Sequence, residues 1–179
     1  MIAGAIAGKE VTVNRVRADH LTAVTDTLRD CGFILHEKNG SVSICANGLS
    51  KPLNLETQPF PGFPTDMQAQ MCALLSTVAG ESSVTENVFP RRFMHVSELK
   101  RMGATIELDG SVARIRGVGS LSGAPVMASD LRASAALVLA GLLAEGTTEI
   151  NRVYHIDRGY EMIDEKLIDL GAKIERVKV

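Results

Sequence analysis

Tryptophan is absent from this chain, and aromatic residues make up only 4% of its 179 positions. Stacking platforms for nucleic-acid bases are therefore not expected. Neither sign of charge is in excess. The formal net charge is -2, which leaves no basic field to hold a nucleic-acid backbone. Cysteine is scarce and odd in number: Cys31, Cys45 and Cys72 are widely spaced. That excludes a disulfide framework and a zinc cluster, and reads as a reducing, cytoplasmic setting. Long apolar runs are missing too. The longest, Ala133 to Ala144, falls far short of a bilayer, so no membrane partner is expected. The apolar start, Met1 to Gly8, has no basic flank and is too short for a signal peptide. What remains is an ordinary globular balance, 45% hydrophobic and 22% charged, on a chain long enough for one domain with a core.

That chain repeats itself. Leu28 to Ile34, Leu99 to Thr105 and Leu167 to Lys173 resemble one another, with their glycines Gly32, Gly103 and Gly171 spaced 71 and 68 residues apart. Each glycine ends a helical pattern and precedes a strand pattern, the place for a left-handed C′ residue. The first two copies continue into hairpins, with Asn39-Gly40-Ser41-Val42 and Asp109-Gly110-Ser111-Val112 reading as type I′ turns. The third continues as the strand pattern Ile174 to Val179. A second element recurs: Gly8, Gly80 and Gly146 each close a helical run and lead into the β-rich runs Val11 to Val16, Ser83 to Val88 and Thr147 to Val153. The implied unit is βαβαββ, about 70 residues long, occurring roughly three times with the first and last copies incomplete. The incomplete copies suggest a chain cut from something larger. The runs Ala69 to Ala79 and Leu131 to Ala144 are apolar nearly all round, which predicts buried helices. The second helices, such as Arg92 to Arg101, carry charge on one face. The fold class is therefore α/β (or α+β), with apolar helices inside, mixed sheets outside and a single domain over 1–179.

Three clusters at element boundaries could carry chemistry. In Pro61-Gly62-Phe63-Pro64-Thr65-Asp66, a rigid turn precedes a buried helix. Thr65 or Asp66 can serve as its N-cap, and a carboxylate there can also take a proton from a substrate hydroxyl. In Ser129-Asp130-Leu131-Arg132, Ser129 or Asp130 can cap the other buried helix. Arg132, charged in the first turn of an apolar helix, calls for a partner or an anionic ligand. The third cluster is a repeated pair. Arg92 and Arg158 are 66 residues apart, the spacing of Gly80 and Gly146, and are expected at equivalent positions at the start of their second helices. With Arg132 they can converge on one anion, or remain ordinary surface arginines. His155 reads as a packed or hydrogen-bonded histidine. No Walker or Rossmann glycine loop is present.

The segments PGFPTDMQAQ (Pro61 to Gln70), FPRRFMHVSELKRMGA (Phe89 to Ala104), SDLRASAALVLAGLLAEGTTEI (Ser129 to Ile150) and YHIDRGYEMI (Tyr154 to Ile163) together resemble the enolpyruvyl transferases, and within them the UDP-N-acetylglucosamine type. The resemblance implies an α/β prism: two similar domains, each of three βαβαββ units with helices inward. This chain would be one of them, the C-terminal part, lacking a short N-terminal segment and the other domain. It implies transfer of enolpyruvate from phosphoenolpyruvate to the 3-hydroxyl of UDP-N-acetylglucosamine with release of phosphate, the first committed step of bacterial peptidoglycan (cell-wall) synthesis. No metal or organic cofactor is implied. By similarity Asp66 would meet the sugar 3-hydroxyl as base, Val88 would line the nucleotide-sugar site, and Asp130 would align the reacting groups. Arg132 and Arg158 would hold phosphoenolpyruvate, with Arg92 contributing. The family's proton-donating cysteine lies in a Pro-Gly-Gly-Cys setting that Cys31, Cys45 and Cys72 do not share, so this chain alone is expected to be inactive. Partners implied are the missing N-terminal domain and, through the face exposed by its absence, a second copy of the chain. The competing readings are a 5-enolpyruvylshikimate-3-phosphate synthase and a non-catalytic module binding an anion or a partner.

Overall fold

The computed structural model describes residues 1–7, 10–46 and 50–177. The expected turn at Gly8, and the last two residues of the run ending at Val179, lie outside them. Unit one comprises α1 (Ile2–Ala7), β1 (Glu10–Asn14), α2 (Thr22–Asp30), β2 (Ile34–Lys38) and β3 (Ser41–Cys45). Unit two is β4 (Asn54–Glu56), α3 (Gln68–Leu75), β5 (Glu81–Thr85), α4 (Met94–Arg101), β6 (Thr105–Asp109) and β7 (Val112–Arg116), the βαβαββ order in full. Unit three begins with a broken strand, β8 (Leu121–Ser122) and β9 (Pro125–Met127), followed by α5 (Leu131–Leu143). A second broken strand, β10 (Ala144–Glu145) and β11 (Glu149–Asn151), leads to the short α6 (Tyr154–Asp157) and to α7 (Ile163–Asp169).

The sheets follow one plan. Their strand orders are β1-β3-β2 in unit one and β4-β5-β7-β6 in unit two. The leading strand of unit two joins in parallel, and the hairpins of both units are antiparallel. In unit three, β10 and β11 pair in parallel with β8 and β9. The apolar helices lie inside. Every residue of α3 is buried, and α3 packs against α1 and α5, whereas α2 and α4 bury one stripe each: Val24, Thr25 and Leu28, and His95, Val96 and Leu99.

All three repeated glycines adopt the expected left-handed backbone, with φ of 98°, 91° and 95° at Gly32, Gly103 and Gly171. Each closes a Schellman pair. The N–H three residues beyond the helix returns to the leucine carbonyl, Phe33 to Leu28 at 3.0 Å, Ala104 to Leu99 at 3.0 Å and Ala172 to Leu167 at 2.9 Å. Those leucines are 0%, 0% and 8% exposed, so the motif that ends each helix also pins it to the core, at about 1.5–3 kcal/mol per buried leucine.

Two expectations are corrected. The first hairpin has φ of 45° at Asn39 and 75° at Gly40, as a type I′ turn requires. The second pairs Asp109 with Val112, so Gly110 and Ser111 form its loop. Only Gly110 has positive φ (58°), which matches a type II′ turn with glycine first. The third strand pattern forms no strand over residues 172–177. A strand needs a ladder partner, and among the described residues none pairs with this run as β3 and β7 pair with β2 and β6. Instead Arg176 is held by Asp157 at 2.9 Å and Asp164 at 2.7 Å.

Candidate active site

The two buried helices α3 and α5 begin differently. Asp130 has an extended backbone (φ -154°, ψ 174°), and its carboxylate accepts from Arg132 N at 2.8 Å and Ala133 N at 3.0 Å. Of Ser129 and Asp130, Asp130 is therefore the cap, contributing about 0.5–2 kcal/mol. Neither Thr65 nor Asp66 caps α3. A 3₁₀ turn over Thr65–Met67 comes first, and neither helical start receives a side-chain cap.

Freed from capping, Asp66 bridges two arginines. Its Oδ1 lies 2.8 Å from Arg92 Nη1 and its Oδ2 lies 2.6 Å from Arg132 Nη2. The Arg132 guanidinium, with a smaller contribution from Arg92, holds the Asp66 carboxyl below the usual carboxylate range against the opposing effect of burial. Asp66 in turn raises Arg132, with a lesser push from the Tyr160 phenol. That phenol accepts from Gln70 Nε2 at 3.1 Å, tying the Arg158–Tyr160 segment to α3.

Arg92, Arg132 and Arg158 line one cleft of about 500 Å³, with Ser129, Asp130 and His155. The expected convergence of the three arginines is present, but Arg92 and Arg158 are not strictly equivalent. Arg92 stands two residues ahead of α4, while Arg158 ends α6, an extra helix, and precedes α7 by five residues. Arg158 forms no ion pair among the described residues and is exposed. The loop carrying it closes on the start of α5 because residue 159 is glycine: a Cβ there would lie 2.6 Å from Leu131 Cδ2. The cleft lining carries three guanidiniums against one carboxylate, Asp130, which is engaged with the backbone, while Asp66 pairs with two of the guanidiniums, so the cleft attracts an anion. Val88 is not among the cleft-lining residues. Its N–H donates to Glu86 at 2.9 Å, so its carbonyl and side chain are what a ligand could meet. The His155 ring lies 4.3 Å from the Tyr154 ring, with Nε2 buried and without a partner, in keeping with a packed residue. A second cleft of about 470 Å³, beside Asp19, Asp26 and Phe60, has acidic walls and no such convergence.

Sequence reasoning overlooked Glu86, His95 and Tyr160. Glu86 is 0% exposed and accepts four hydrogen bonds. The signal that could have found it is the alternation of Ser82, Val84 and Glu86 on the buried side of β5 and its extension. His95 belongs to the buried stripe of α4. Desolvation pushes it down to about 4, against the pull of Asp130 and with a smaller push from Arg92. Cys31 and Cys72 are buried, and burial raises both thiols, so neither is an acid suited to the cleft.

Comparison with known proteins agrees with this architecture. The sequence profile of the EPSP synthase (3-phosphoshikimate 1-carboxyvinyltransferase) family matches residues 1–167. A UDP-N-acetylglucosamine 1-carboxyvinyltransferase of Akkermansia muciniphila is 60% identical over 99% of this chain. The corresponding protein of Anaeromyxobacter sp. (strain Fw109-5) is 56% identical over 99%. This chain spans 42% of the length of each of these relatives. Among solved structures, the enolpyruvyl transferase NikO from Streptomyces tendae superposes over 97% of this chain and 42% of its own, with a TM-score of 0.87 and 26% identity. An EPSP synthase from Acinetobacter baumannii shares the fold over 83% of this chain and 36% of its own, with a TM-score of 0.65 and 23% identity. The repeated units, the buried helices and the family match together show that this chain belongs to the EPSP synthase (3-phosphoshikimate 1-carboxyvinyltransferase) family.

Proposed function

We propose that this chain is a single enolpyruvyl-transferase domain that forms one wall of the active site of a longer cytoplasmic enzyme. That enzyme transfers enolpyruvate from phosphoenolpyruvate to the 3-hydroxyl of UDP-N-acetylglucosamine. The observation that carries the reading is Asp66 bridged by Arg92 and Arg132, which share a cleft with Arg158, itself without an ion pair among the described residues. Asp66 is the base: held ionised by two guanidiniums, it accepts the proton of the attacking hydroxyl. The hydroxyl oxygen adds to C2 of phosphoenolpyruvate while C3 gains a proton from a donor on the other domain. Loss of a C3 proton then expels phosphate and regenerates the double bond. Arg132 and Arg158 hold the phosphate and carboxylate, and Arg92 adds to the anion site, stabilising charge that moves as phosphate departs. Asp130 fixes the first turn of α5 and so aligns Arg132. Val88 borders the nucleotide sugar. The nucleotide-sugar acceptor is favoured over shikimate 3-phosphate because relatives that are 56–60% identical carry that name, against 23% for the EPSP synthase structure.

The other domain is the first partner. Exposed Phe89 and Met94 beside the cleft suit such a contact, and also self-association when that domain is absent. Titrating the chain with UDP-N-acetylglucosamine, with and without phosphoenolpyruvate, is the test by NMR. Shifts clustered at Asp66, Val88, Arg92, Arg132 and Arg158 are expected. A folded spectrum that shifts elsewhere, or a thermal shift with shikimate 3-phosphate alone, would overturn the assignment. Steady phosphate release by this chain alone would overturn the two-domain requirement.

A further inference from the structure

Glu86 lies beneath the cleft rather than in its lining, and four donors converge on it. Its Oε1 accepts from Thr57 Oγ1 at 2.7 Å and from the N–H groups of Val88 and Phe89, each at 2.9 Å. Its Oε2 accepts from Thr65 Oγ1 at 2.9 Å. A fully buried carboxylate is tolerated only when its lone pairs are so filled, and here it acts through acceptor capacity alone.

The consequence is directional. Thr65 has one hydroxyl proton, and Glu86 takes it. The lone pairs of Thr65 Oγ1 are thereby left for a donor, which is Arg92 Nη1 at 3.2 Å, the same nitrogen that lies 2.8 Å from Asp66 Oδ1. The other arm from Glu86 holds the turn that carries Phe89, and the Arg92 guanidinium carbon lies 5.3 Å from the centroid of the Phe89 ring. Arg92 is thus held from two sides, and both holds lead back to one buried carboxylate.

We infer that Glu86 is a positioning residue for the cleft, aiming Arg92 at Asp66 through Thr65 and through the Val88–Phe89 turn. The consequence for substrate rests on the function proposed above; the aiming itself does not. Three substitutions separate the arms. Thr65→Val removes the hydroxyl at nearly constant volume, and Thr65→Ser restores it. Glu86→Gln can keep its amide oxygen on Thr57, Val88 and Phe89, but it then presents an N–H to Thr65 and reverses that hydrogen bond.

The experiment is a carbon-detected NMR titration of the Asp66 carboxyl in the ligand-free chain, alongside thermal melts. Asp66 is expected to titrate at higher pH in Thr65→Val and Glu86→Gln than in the native chain, because only Arg132 then remains well aimed at it. Thr65→Ser is expected to return it to the native position. A lowered melting temperature with the Asp66 titration unmoved would make Glu86 a purely structural group and overturn the inference. Should Glu86→Gln fail to fold, Thr65→Val decides. In the longer enzyme, Thr65→Val and Glu86→Gln are each expected to raise the KM for phosphoenolpyruvate about three- to tenfold, Thr65→Ser to leave it near the native value, and the Thr65→Val, Glu86→Gln double variant to raise it no more than the larger single. Fully additive losses would contradict the relay. If the longer enzyme ignores phosphoenolpyruvate, the proposed function fails while the Asp66 titration still decides the role of Glu86.

Discussion

Asp66 and Asp130 lie in successive units, 64 residues apart, each ahead of a buried helix. Asp130 turns inward on the backbone and caps α5. Asp66 is separated from α3 by a 3₁₀ turn and reaches two arginines from other elements. One turn of backbone therefore separates an aspartate that serves as a cap from one that is free to be a candidate base. The difference shows how a repeated fold acquires a site: the scaffold is copied, and a local change at one copy frees a side chain for chemistry.

The comparison breaks most visibly in activity. In the longer enzyme proposed above, Asp66→Asn keeps the shape but removes the base, and phosphate release is expected to fall by about 10²- to 10⁴-fold. If activity is retained, Asp66 is only a bridge between arginines. The next largest effect concerns His95, which lies close enough to Asp130 and Arg92 to feel both charges. Its folded value of about 4 lies below its ordinary value of 6.5, so the unfolded chain takes up a proton that the folded chain refuses. Stability is therefore lost as pH falls from about 6.5 to about 4. Urea unfolding across that window is expected to show the loss, and His95→Phe to flatten it; an unchanged slope in the variant would place the titration elsewhere.

A smaller effect separates the two aspartates directly. Asp130→Ala deletes a cap and is expected to destabilise the chain by about 0.5–2 kcal/mol. Asp66→Ala removes ion pairs made by a carboxylate whose side chain is 50% exposed, and is expected to cost less than about 1 kcal/mol. Equal costs in urea melts would remove the distinction between cap and bridge. The smallest effect is the acid tail. Because Asp66 is depressed in the folded state, its contribution is present at neutral pH and disappears only as pH falls through that lowered value, below the His95 window. Asp66→Ala should leave the His95 window intact and alter only this tail.

Much of the fold was legible because it is written in local chemistry. Gly32, Gly103 and Gly171 announce helix ends, since a left-handed residue there favours glycine, and the Asn39-Gly40 turn follows from the same physics. The second hairpin was misassigned because Asp109-Gly110 looks like Asn39-Gly40 in sequence, yet the pairing register places Asp109 in the strand. The strand expected after Gly171 failed for a non-local reason: alternation fits a residue to a sheet but cannot supply the neighbouring strand. The convergence of Arg92, Arg132 and Arg158 could be anticipated from repeat spacing. At Glu86 the alternation with Ser82 and Val84 points to the buried side, but its role as a hub does not show until the donors from Thr57 and Thr65 are brought to it.

By itself the sequence determined the unit: its length, its helix ends, its inward helices and the residue types at each boundary. These depend on backbone conformations and apolar periodicity within a few residues. The tertiary structure alone decided which of two aspartates bridges the arginines and which caps a helix, which buried carboxylate aims Arg92, and whether the last run becomes a strand. The first two depend on partners 20 to 70 positions away along the chain, as with Asp66 and Arg132, 66 residues apart, and the third on a neighbouring strand; a residue's own local pattern encodes neither.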